Sequence, residues 1–495
     1  MKRTQPKLVQ TLQTPSRRVI DARSAWIWVF PQPLDRSVKS SIPYARQLLQ
    51  RIRLAGLKKG DTGPVILDLP NPRSTHVACA AVKPDMEAFA LLTLACKLVA
   101  AHDLNTTDAI AVMVHGFDDP AAERIYEAII AAGCAAAAEM PDFKSKGKQT
   151  PKLKSLELHG IRTRHGFKRT LAEMEGNTVT RYLSMLPSNM LTPALYLEKV
   201  KDLATSYGWK LTFLDKKRLQ KEKAGAFLAV CQGSSSDDAG IVHLQYRPQK
   251  KTGAKSVALV GKGICYDTGG HNLKTGKYMF GMHEDMQGSA VALGILVALT
   301  RMKVNFPVDC WLALAMNHIG PDAYKPNDVI TAGDGTTIEI INTDAEGRMV
   351  LADTLLIATR ERPGLLIDYA TLTGACVYAL GTAYCGVFSN RREYTPVLIE
   401  AGRASGERVW PFPMDDDYDK AIESKIADVK QCAPEGMADH IIASRFLQRF
   451  IKYNTPWVHV DLAAMNNKGG LGHIPTDTIG FGIRFTVNLL LDQKL

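Results

Sequence analysis

Two segments of the 495-residue chain combine charged side chains with glycines directly after apolar, strand-like runs. They are Lys-Gly-Ile-Cys-Tyr-Asp-Thr-Gly-Gly at 262–270 and Asn-Thr-Asp-Ala-Glu-Gly-Arg at 342–348. The carboxyl ends of strands are where α/β proteins place their ligands. Asp344 and Glu346, two residues apart in a tight turn, can aim both carboxylates at one point, while Gly347 lets the backbone leave without a clash.

Clustered carboxylates repel one another unless cations neutralise them. Asp285, near the start of the next predicted helix, adds a further carboxylate to those of Asp267, Asp344 and Glu346. Carboxylate oxygens suit magnesium, manganese or zinc, and their convergence from separate loops is what two ions about 3.5 to 4 Å apart would need. Taken singly, Asp267 and Asp285 suit a turn or a helix N-cap equally well. Together the residues predict a metal centre.

These motifs resemble those of the leucyl aminopeptidase family of metallopeptidases, also called cytosol aminopeptidases. The family signature is complete at 342–348, and the pattern Lys-Gly-x-x-x-Asp-x-Gly-Gly is complete at 262–270. Lys274 and Asp285 also stand at the family spacing after Asp267. The resemblance covers roughly residues 180–480, and the N-terminal part of the chain has no motif of comparable specificity.

The resemblance implies two divalent metal ions, manganese or zinc, in each subunit. Asp267 and Glu346 would bridge both ions, Asp344 would complete one site, and Lys262 and Asp285 would complete the other. A lysine can ligate a metal only as a neutral amine. Burial beside a dication lowers the pKa of the amine enough to permit this.

The resemblance also implies catalytic roles for Lys274 and Arg348. A water activated by the two metals would attack the scissile carbonyl, and charged Lys274 would stabilise the resulting oxyanion. Arg348 would hold a bicarbonate ion that shuttles the proton, because a planar guanidinium fits a planar anion. A structural arginine that pairs with neighbouring carboxylates is the alternative interpretation of Arg348.

A mainly apolar pocket for a leucine-like side chain is implied as well. By position, its lining would be Met282, Thr371, Gly374 and Ala463, with Met465 as a less certain addition. Met282 also suits ordinary core packing. His283 and His318 stand where relatives commonly carry other residues, and we interpret both as structural.

Apolar runs that alternate with helical patterns predict an α/β protein. We expect a smaller N-terminal α/β domain and a larger C-terminal catalytic α/β domain with a central mixed sheet flanked by helices. The expected limits are a basic tail at 1–24, the N-terminal domain with its linker at 25–175, and the catalytic domain at 176–495. Within the N-terminal domain, residues 61–160 alternate as βαβαβ.

The second half shows the same alternation of elements. The patterns predict strands at 257–260, 308–316 and 337–341. They predict helices at about 285–302 and from 347 onward. In the latter helix, Leu351, Leu355 and Ala358 share one face that can pack on a sheet while the preceding loop stays available for chemistry.

Composition limits the compartment. Hydrophobic residues make up 46% and charged residues 22%, as in globular proteins, and apolar runs are too short for a membrane span. Nine scattered cysteines without a Cys-x-x-Cys pair indicate reduced thiols. We expect a cytoplasmic protein. The alternative is a mitochondrial one, since the basic segment has no acid before Asp21.

The sequence is compatible with three functions. The first is an aminopeptidase acting on peptide substrates, which in this family assembles as a homohexamer, a dimer of trimers. The second, nucleic-acid binding, rests on the net charge of +11. The third is another two-metal hydrolase such as a phosphatase, which gives no reason for a lysine among the ligands. The motifs favour the aminopeptidase.

Overall fold

The chain divides into two compact units. The computed structural model describes residues 5–33, 42–55, 63–147, 150–250 and 253–495. The first unit comprises Met1–Glu175, Arg403–Gly406 and Lys468–Asp477. The second comprises Gly176–Gly402, Glu407–Asn467 and Thr478–Leu495.

A six-stranded sheet forms the centre of the first unit. Its strands are β1 (Lys7–Thr11), β2 (Ala25–Pro31), β3 (Val65–Asp68), β4 (His76–Val82), β5 (Ala109–Val114) and β6 (Ser155–His159). In the order β1-β6-β5-β2-β4-β3, all neighbours are parallel except β3 and β4. The central strands are almost continuously apolar and buried, as expected for parallel strands covered on both faces.

Helices of the first unit connect these strands. They are Arg17–Asp21, Ala45–Leu54, Ala88–Ala100 and Asp119–Ala137, and the longer helix Lys168–Ser184 contains the boundary between the units. Asp118 caps one of them by accepting a hydrogen bond from the backbone N–H of Ala121. The expected βαβαβ alternation holds from β4 to β6 but is wrong at its start, because β3 is followed directly by β4, which pairs with it antiparallel.

Part of the predicted tail 1–24 is folded. β1 pairs in parallel with β6, with Leu8 opposite Leu156, and Ile20 in the following helix is fully buried. The tail interpretation is therefore wrong for residues 5–24, because a short strand among basic residues was not distinguished from a solvated segment. Residues 1–4 lie outside the described residues, and a role in import stays a prediction.

An eight-stranded mixed sheet forms the centre of the second unit. It contains β7 (Lys210–Asp215), β8 (Gly240–Tyr246), β9 (Val257–Asp267) and β10 (Val308–Asn317), and further along the chain β13 (Leu365–Ala370), β14 (Cys385–Ser389), β15 (Val409–Pro411) and β17 (Trp457–Asp461). The order is β15-β14-β17-β13-β9-β10-β8-β7. The long strand β9 lies parallel to both β10 and β13, so their carboxyl ends meet at one edge.

A separate three-stranded sheet consists of β11 (Val329–Thr331), β12 (Thr337–Glu339) and β16 (Val429–Lys430). The strand predicted at 337–341 is β12, which pairs with β11 and β16. An apolar run predicts a strand but does not specify the sheet that it joins.

Helices surround the large sheet. They are Pro193–Tyr207, Lys216–Lys221, Gly225–Val230, Gly276–Met279, Gln287–Met302, Glu346–Arg360, Gly374–Leu380, Thr395–Ser405, Asp439–Gln448 and Ile483–Leu491. Leu351, Leu355 and Ala358 are fully buried, as their spacing predicted. Among the described residues, we find no helix with the length and apolar character needed to cross a bilayer.

Gly288 allows the helix Gln287–Met302 to approach β13 closely. A Cβ at this position would lie 2.1 Å from the carbonyl oxygen of Tyr369 and 3.0 Å from the amide nitrogen of Lys262. Because a backbone group cannot move aside easily, we expect Gly288→Ala to lower the free energy of unfolding by about 2 kcal/mol or more. The melting temperature should fall by several degrees.

Gly276→Ala is the matched control, since nothing lies within 4 Å of its Cβ position. Differential scanning calorimetry of the parent and both variants checks this prediction. Equal melting temperatures for Gly288→Ala and the parent would contradict the close approach.

Candidate metal centre and substrate pocket

One strand and the starts of two helices bring the predicted ligands together. Lys262 and Asp267 belong to β9, Asp285 precedes the helix Gln287–Met302, and Asp344 and Glu346 lie at the start of the helix Glu346–Arg360. The arrangement follows from the parallel strands, whose loops leave at the same edge of the sheet.

The carboxylates form a tight group. One oxygen each of Asp267, Asp344 and Glu346 lies within 4.8 Å of the others. The Nζ atom of Lys262 lies 2.8 Å from a carboxylate oxygen of Asp285 and 2.8 Å from Oε1 of Glu346. All five predicted ligands therefore meet in one cluster.

Lys274 joins the same cluster. Its Nζ atom lies 2.9 Å from Oδ2 of Asp267 and 2.6 Å from Oδ1 of Asp344. Burial opposes the charge of Lys274, but the carboxylates, chiefly Asp267, outweigh burial and raise the pKa of the amine. Lys274 is therefore a cation held against two of the candidate ligands.

The electrostatics of the carboxylates favour cation binding. Burial, reinforced by Asp267 and Glu346, raises the pKa of Asp344 to about 7. Burial also raises the pKa of Asp285 well above its ordinary value, and burial with the Glu346 charge raises that of Asp267. Divalent ions would relieve this repulsion, because they compensate several buried negative charges at once.

Lys262 is an ammonium ion when only protein groups surround it. Burial disfavours the charge, but Asp285, Glu346 and Asp267 outweigh it and raise the pKa of the amine above its ordinary value. Ligation through a neutral amine would therefore require the bound dication itself to displace the proton. Gly347 makes room for this side chain, since a Cβ there would lie 2.7 Å from Nζ of Lys262.

Glu346 provides the most direct test of fit for a metal. Its Oε2 atom is buried and has no hydrogen-bond partner among the residues that the structure describes. A buried carboxylate oxygen without a donor is unfavourable unless a cation contacts it. The donor set of carboxylates with one amine suits manganese or zinc, so the side chains present fit divalent ions.

A cavity of about 610 Å³ opens beside the cluster. The predicted metal ligands line this cavity. So do all the predicted pocket residues, which are Met282, Thr371, Gly374, Ala463 and Met465. Thr371 also holds the centre, because its hydroxyl donates to Oδ1 of Asp285 at 2.8 Å and its carbonyl accepts from Nζ of Lys262 at 3.1 Å.

Sequence reasoning missed three apolar residues at the rim of this cavity. Leu273, Tyr278 and Val377 line it with side chains that are 50%, 54% and 39% exposed. Leu273 directly precedes Lys274, a position that could have drawn attention to it. Exposed apolar surface therefore continues from the cavity onto its rim.

Arg348 is buried and already paired. Its Nη2 atom donates to both carboxylate oxygens of Asp439 at 2.8 and 2.9 Å, and Nη1 donates to the Gln431 carbonyl at 3.2 Å. Burial opposes the guanidinium charge, but Asp439 outweighs it and raises the pKa of Arg348. Because Asp439 compensates the positive charge, this arrangement does not fit an additional bicarbonate ion.

Comparison with known proteins agrees with the geometry. A family model described as "Cytosol aminopeptidase family, catalytic domain" matches residues 178–487, which include the whole cluster. The chain belongs to the cytosol aminopeptidase family. The resemblance inferred from the two motifs is thereby confirmed. Members of this family are metal-dependent hydrolases that remove residues from peptide N-termini.

Two relatives of this cytosol aminopeptidase family member are named probable cytosol aminopeptidases. The protein from Wolbachia pipientis wMel is 42% identical over 332 residues, which are 66% of this chain and 65% of that protein. The protein from Synechococcus sp. (strain WH7803) is 38% identical over 357 residues, 71% of this chain and 72% of that protein. The first alignment spans slightly less than two thirds of its relative.

A solved structure of a tomato leucine aminopeptidase mutant is similar over nearly the whole chain. It has a TM-score of 0.84 and 26% sequence identity, and the match covers 99% of this chain and 97% of that one. The expected α/β fold with a smaller N-terminal sheet and a larger mixed sheet is confirmed.

Asn317 contacts a residue of the candidate metal centre and was not predicted to do so. Its side-chain amide donates to Oδ1 of Asp267 at 2.8 Å and to the Thr343 carbonyl at 3.0 Å. The strand register places Asn317 of β10 opposite Asp267 of β9. Asn317 therefore fixes the orientation of the Asp267 carboxylate, which the cluster needs to bind cations.

We expect Asn317→Ala to weaken manganese binding by about 10- to 100-fold, because residues that orient a ligand have effects of this size. Isothermal titration calorimetry of the metal-free protein measures the affinity. Asn105→Ala is the control, since the half-buried Asn105 also donates its amide to an aspartate, Asp103, but belongs to the first unit. An unchanged affinity in Asn317→Ala would show that Asp267 keeps its orientation unaided.

Proposed function

We propose that this chain is a two-metal aminopeptidase that hydrolyses the N-terminal residue, preferably a leucine-like one, from peptides. The observation that carries the proposal is the cluster of Asp267, Asp344 and Glu346, whose carboxylates lie within 4.8 Å of one another. Lys262 and Lys274 lie against this cluster at the side of the cavity.

Five side chains would hold the two ions, which are manganese or zinc in this proposal. Asp267 and Glu346 would bridge them, Asp344 would complete one site, and Lys262 with Asp285 would complete the other. When bound, such ions supply Lewis acidity at the scissile carbonyl and lower the pKa of a water molecule. The unpartnered oxygen of Glu346 and the raised pKa values of Asp285 and Asp344 support this assignment.

Lys274 would stabilise the oxyanion that develops on the scissile carbonyl. The carboxylates raise the pKa of its amine, which is therefore charged at neutral pH. Ions held by Asp267 and Asp344 would compensate the charges of these carboxylates, and the Lys274 amine would then be available to donate to the substrate. A preorganised cation in a partly buried site lowers the barrier at this step.

The cavity would bind the first residue of the peptide. Its lining combines the apolar Met282 and Ala463 with Gly374, which leaves space, and Thr371, which is already engaged by Asp285. A leucine-like side chain therefore fits the chemistry of the lining, whereas a charged side chain would find no partner in these four residues.

We do not include bicarbonate on Arg348 in the proposed mechanism, because Asp439 already compensates the charge of the guanidinium.

We also propose a homohexamer and a cytoplasmic location, both of which rest on the family resemblance. Analytical ultracentrifugation tests the hexamer, which requires six times the chain mass. Nucleic-acid binding rests on net charge alone and forms no part of the proposal.

The test compares two substrates with the same leucine residue. Leucyl-p-nitroanilide has a free α-amino group, and N-acetyl-leucyl-p-nitroanilide has a blocked one. We expect the manganese-loaded protein to release nitroaniline from the first and not from the second, and dialysis against a chelator to abolish the release. Equal hydrolysis of both substrates would refute the proposal. So would full activity of a protein that metal analysis shows to be free of metal after chelation.

A further inference from the structure

Both terminal nitrogens of the Arg348 guanidinium have partners, whereas its buried Nε has none among the residues that the structure describes. Both oxygens of Asp439 accept from Nη2, and the Gln431 carbonyl accepts from Nη1. The arginine side chain is 2% exposed, whereas that of Asp439 is 26% exposed. The pair therefore combines a buried cation with a carboxylate that reaches it from a partly solvated position.

The segment that carries Asp439 is also fastened to the signature motif. The Gln431 side chain accepts from the Asn342 amide at 3.2 Å and donates to the Ala345 carbonyl at 3.0 Å. Ala438 has a φ of 51°, a left-handed conformation that is unfavourable for alanine. The Ala438 carbonyl accepts from the backbone N–H groups of Ile441 and Ile442, and Asp439 begins the helix Asp439–Gln448 and reaches Arg348.

Other anion-binding groups of the cavity are engaged as well. The backbone N–H groups of Leu372 and Thr373, which line the cavity with Arg348, donate to Oδ1 of Asp461 at 3.2 and 3.3 Å. The Thr373 hydroxyl donates to Oδ2 of the same carboxylate at 2.7 Å. An incoming oxyanion would have to displace a buried carboxylate from these donors.

Charge compensation decides between an internal and an external anion. An external oxyanion binds a buried guanidinium when the positive charge lacks a counter-ion. Here the counter-ion is the Asp439 carboxylate. Because Asp439 is part of the chain, its carboxylate loses no translational freedom when it pairs with Arg348, whereas a free anion does. The Arg348–Asp439 pair itself therefore offers no net positive charge to a second anion.

We propose that Asp439 is the resident anion of Arg348, and that it replaces an exogenous oxyanion such as bicarbonate in this chain. Asp439 acts as a positioning residue, because it fixes the guanidinium at the cavity wall. The corollary that hydrolysis does not depend on bicarbonate rests on the proposed function. The binding statement is independent of it.

The experiment uses the full-length, manganese-loaded protein in buffer freed of carbon dioxide. Melting temperature and leucyl-p-nitroanilide hydrolysis are measured with added bicarbonate and with chloride at equal ionic strength. The variants are Asp439→Ala and Asp439→Asn. Asp415→Ala is the matched control, because Asp415 pairs with Arg392 at 2.7 Å on the surface, where both side chains are exposed.

We expect bicarbonate to leave the melting temperature and the rate of the parent and of Asp415→Ala unchanged. Asp439→Ala should melt lower than the parent, and bicarbonate should raise its melting temperature by roughly 2 °C or more, since a ligand that binds only the folded state stabilises it. Bicarbonate should also restore part of the rate that this variant loses.

A rise in the melting temperature or rate of the parent with bicarbonate would overturn the proposal. An Asp439→Ala protein whose melting temperature is the same with bicarbonate and with chloride would also overturn it. If neither Asp439 variant folds, the response of the parent still decides the question. A parent that releases no nitroaniline would refute the proposed function, whereas the melting temperatures would continue to test the anion.

Discussion

Replacing Glu346 with glutamine is expected to lower kcat/KM for leucyl-p-nitroanilide by at least about 10³-fold. The substitution preserves the shape of the side chain and removes its charge. Glu346 lies 2.8 Å from Nζ of Lys262 and within 4.8 Å of the carboxylates of Asp267 and Asp344. A neutral amide at this central position cannot bridge two cations, so metal binding and activity should be lost together.

Metal content after dialysis and kcat/KM are measured on the same preparation. Glu361→Gln is the matched control, because Glu361 is exposed at the end of the helix that Glu346 begins. Circular dichroism establishes that both variants are folded. If the Glu346→Gln protein kept both its bound metal and its kcat/KM, Glu346 would not be a metal ligand.

Replacing Lys274 with methionine is expected to lower kcat by about 10² to 10³-fold while the metal ions remain bound. The reason lies in the two contacts of its amine with Asp267 and Asp344. Removing a cation from beside these carboxylates cannot weaken their attraction for other cations. The loss should therefore appear in the rate and not in metal affinity.

Lys277→Met serves as the control, since Lys277 is an exposed lysine three positions further along the chain. Steady-state kinetics separate kcat from KM, and titration calorimetry gives the metal affinity. An unchanged kcat in Lys274→Met would contradict the oxyanion role. A lost metal with a proportionate loss of rate would instead assign Lys274 a structural role in the centre.

Most of the candidate site could be predicted because its residues lie in short segments of the chain. Asp344 and Glu346 are two residues apart, and Lys262 and Asp267 belong to one strand. Local spacing of this kind is visible in a sequence and depends little on the path of the remaining chain. The apolar strand before each motif further indicated the edge of a sheet.

The supporting residues could not be predicted because they reach the site through tertiary structure. Asn317 contacts Asp267 only because β10 pairs with β9 in one register. Asp439 lies 91 positions beyond Arg348 and reaches it from the start of another helix. No periodicity or spacing in the sequence connects these pairs.

The fold shows the same division between local and long-range information. Helical periodicity predicted the helix from 347, and the helix Glu346–Arg360 begins within one residue of that position. The strand β1 was missed inside a basic segment, since its pairing partner β6 lies far along the chain. Long-range pairing decides whether such a short segment is ordered.

The number and position of the bound ions test the central claim most directly. Crystals of the manganese-loaded protein, measured near the manganese absorption edge, would give an anomalous difference map. We predict two peaks roughly 3.5 to 4 Å apart, both in contact with Asp267 and Glu346, with Lys262 and Asp285 beside one and Asp344 beside the other. A fully loaded crystal with a single peak, or with peaks outside this cluster, would contradict the two-metal centre.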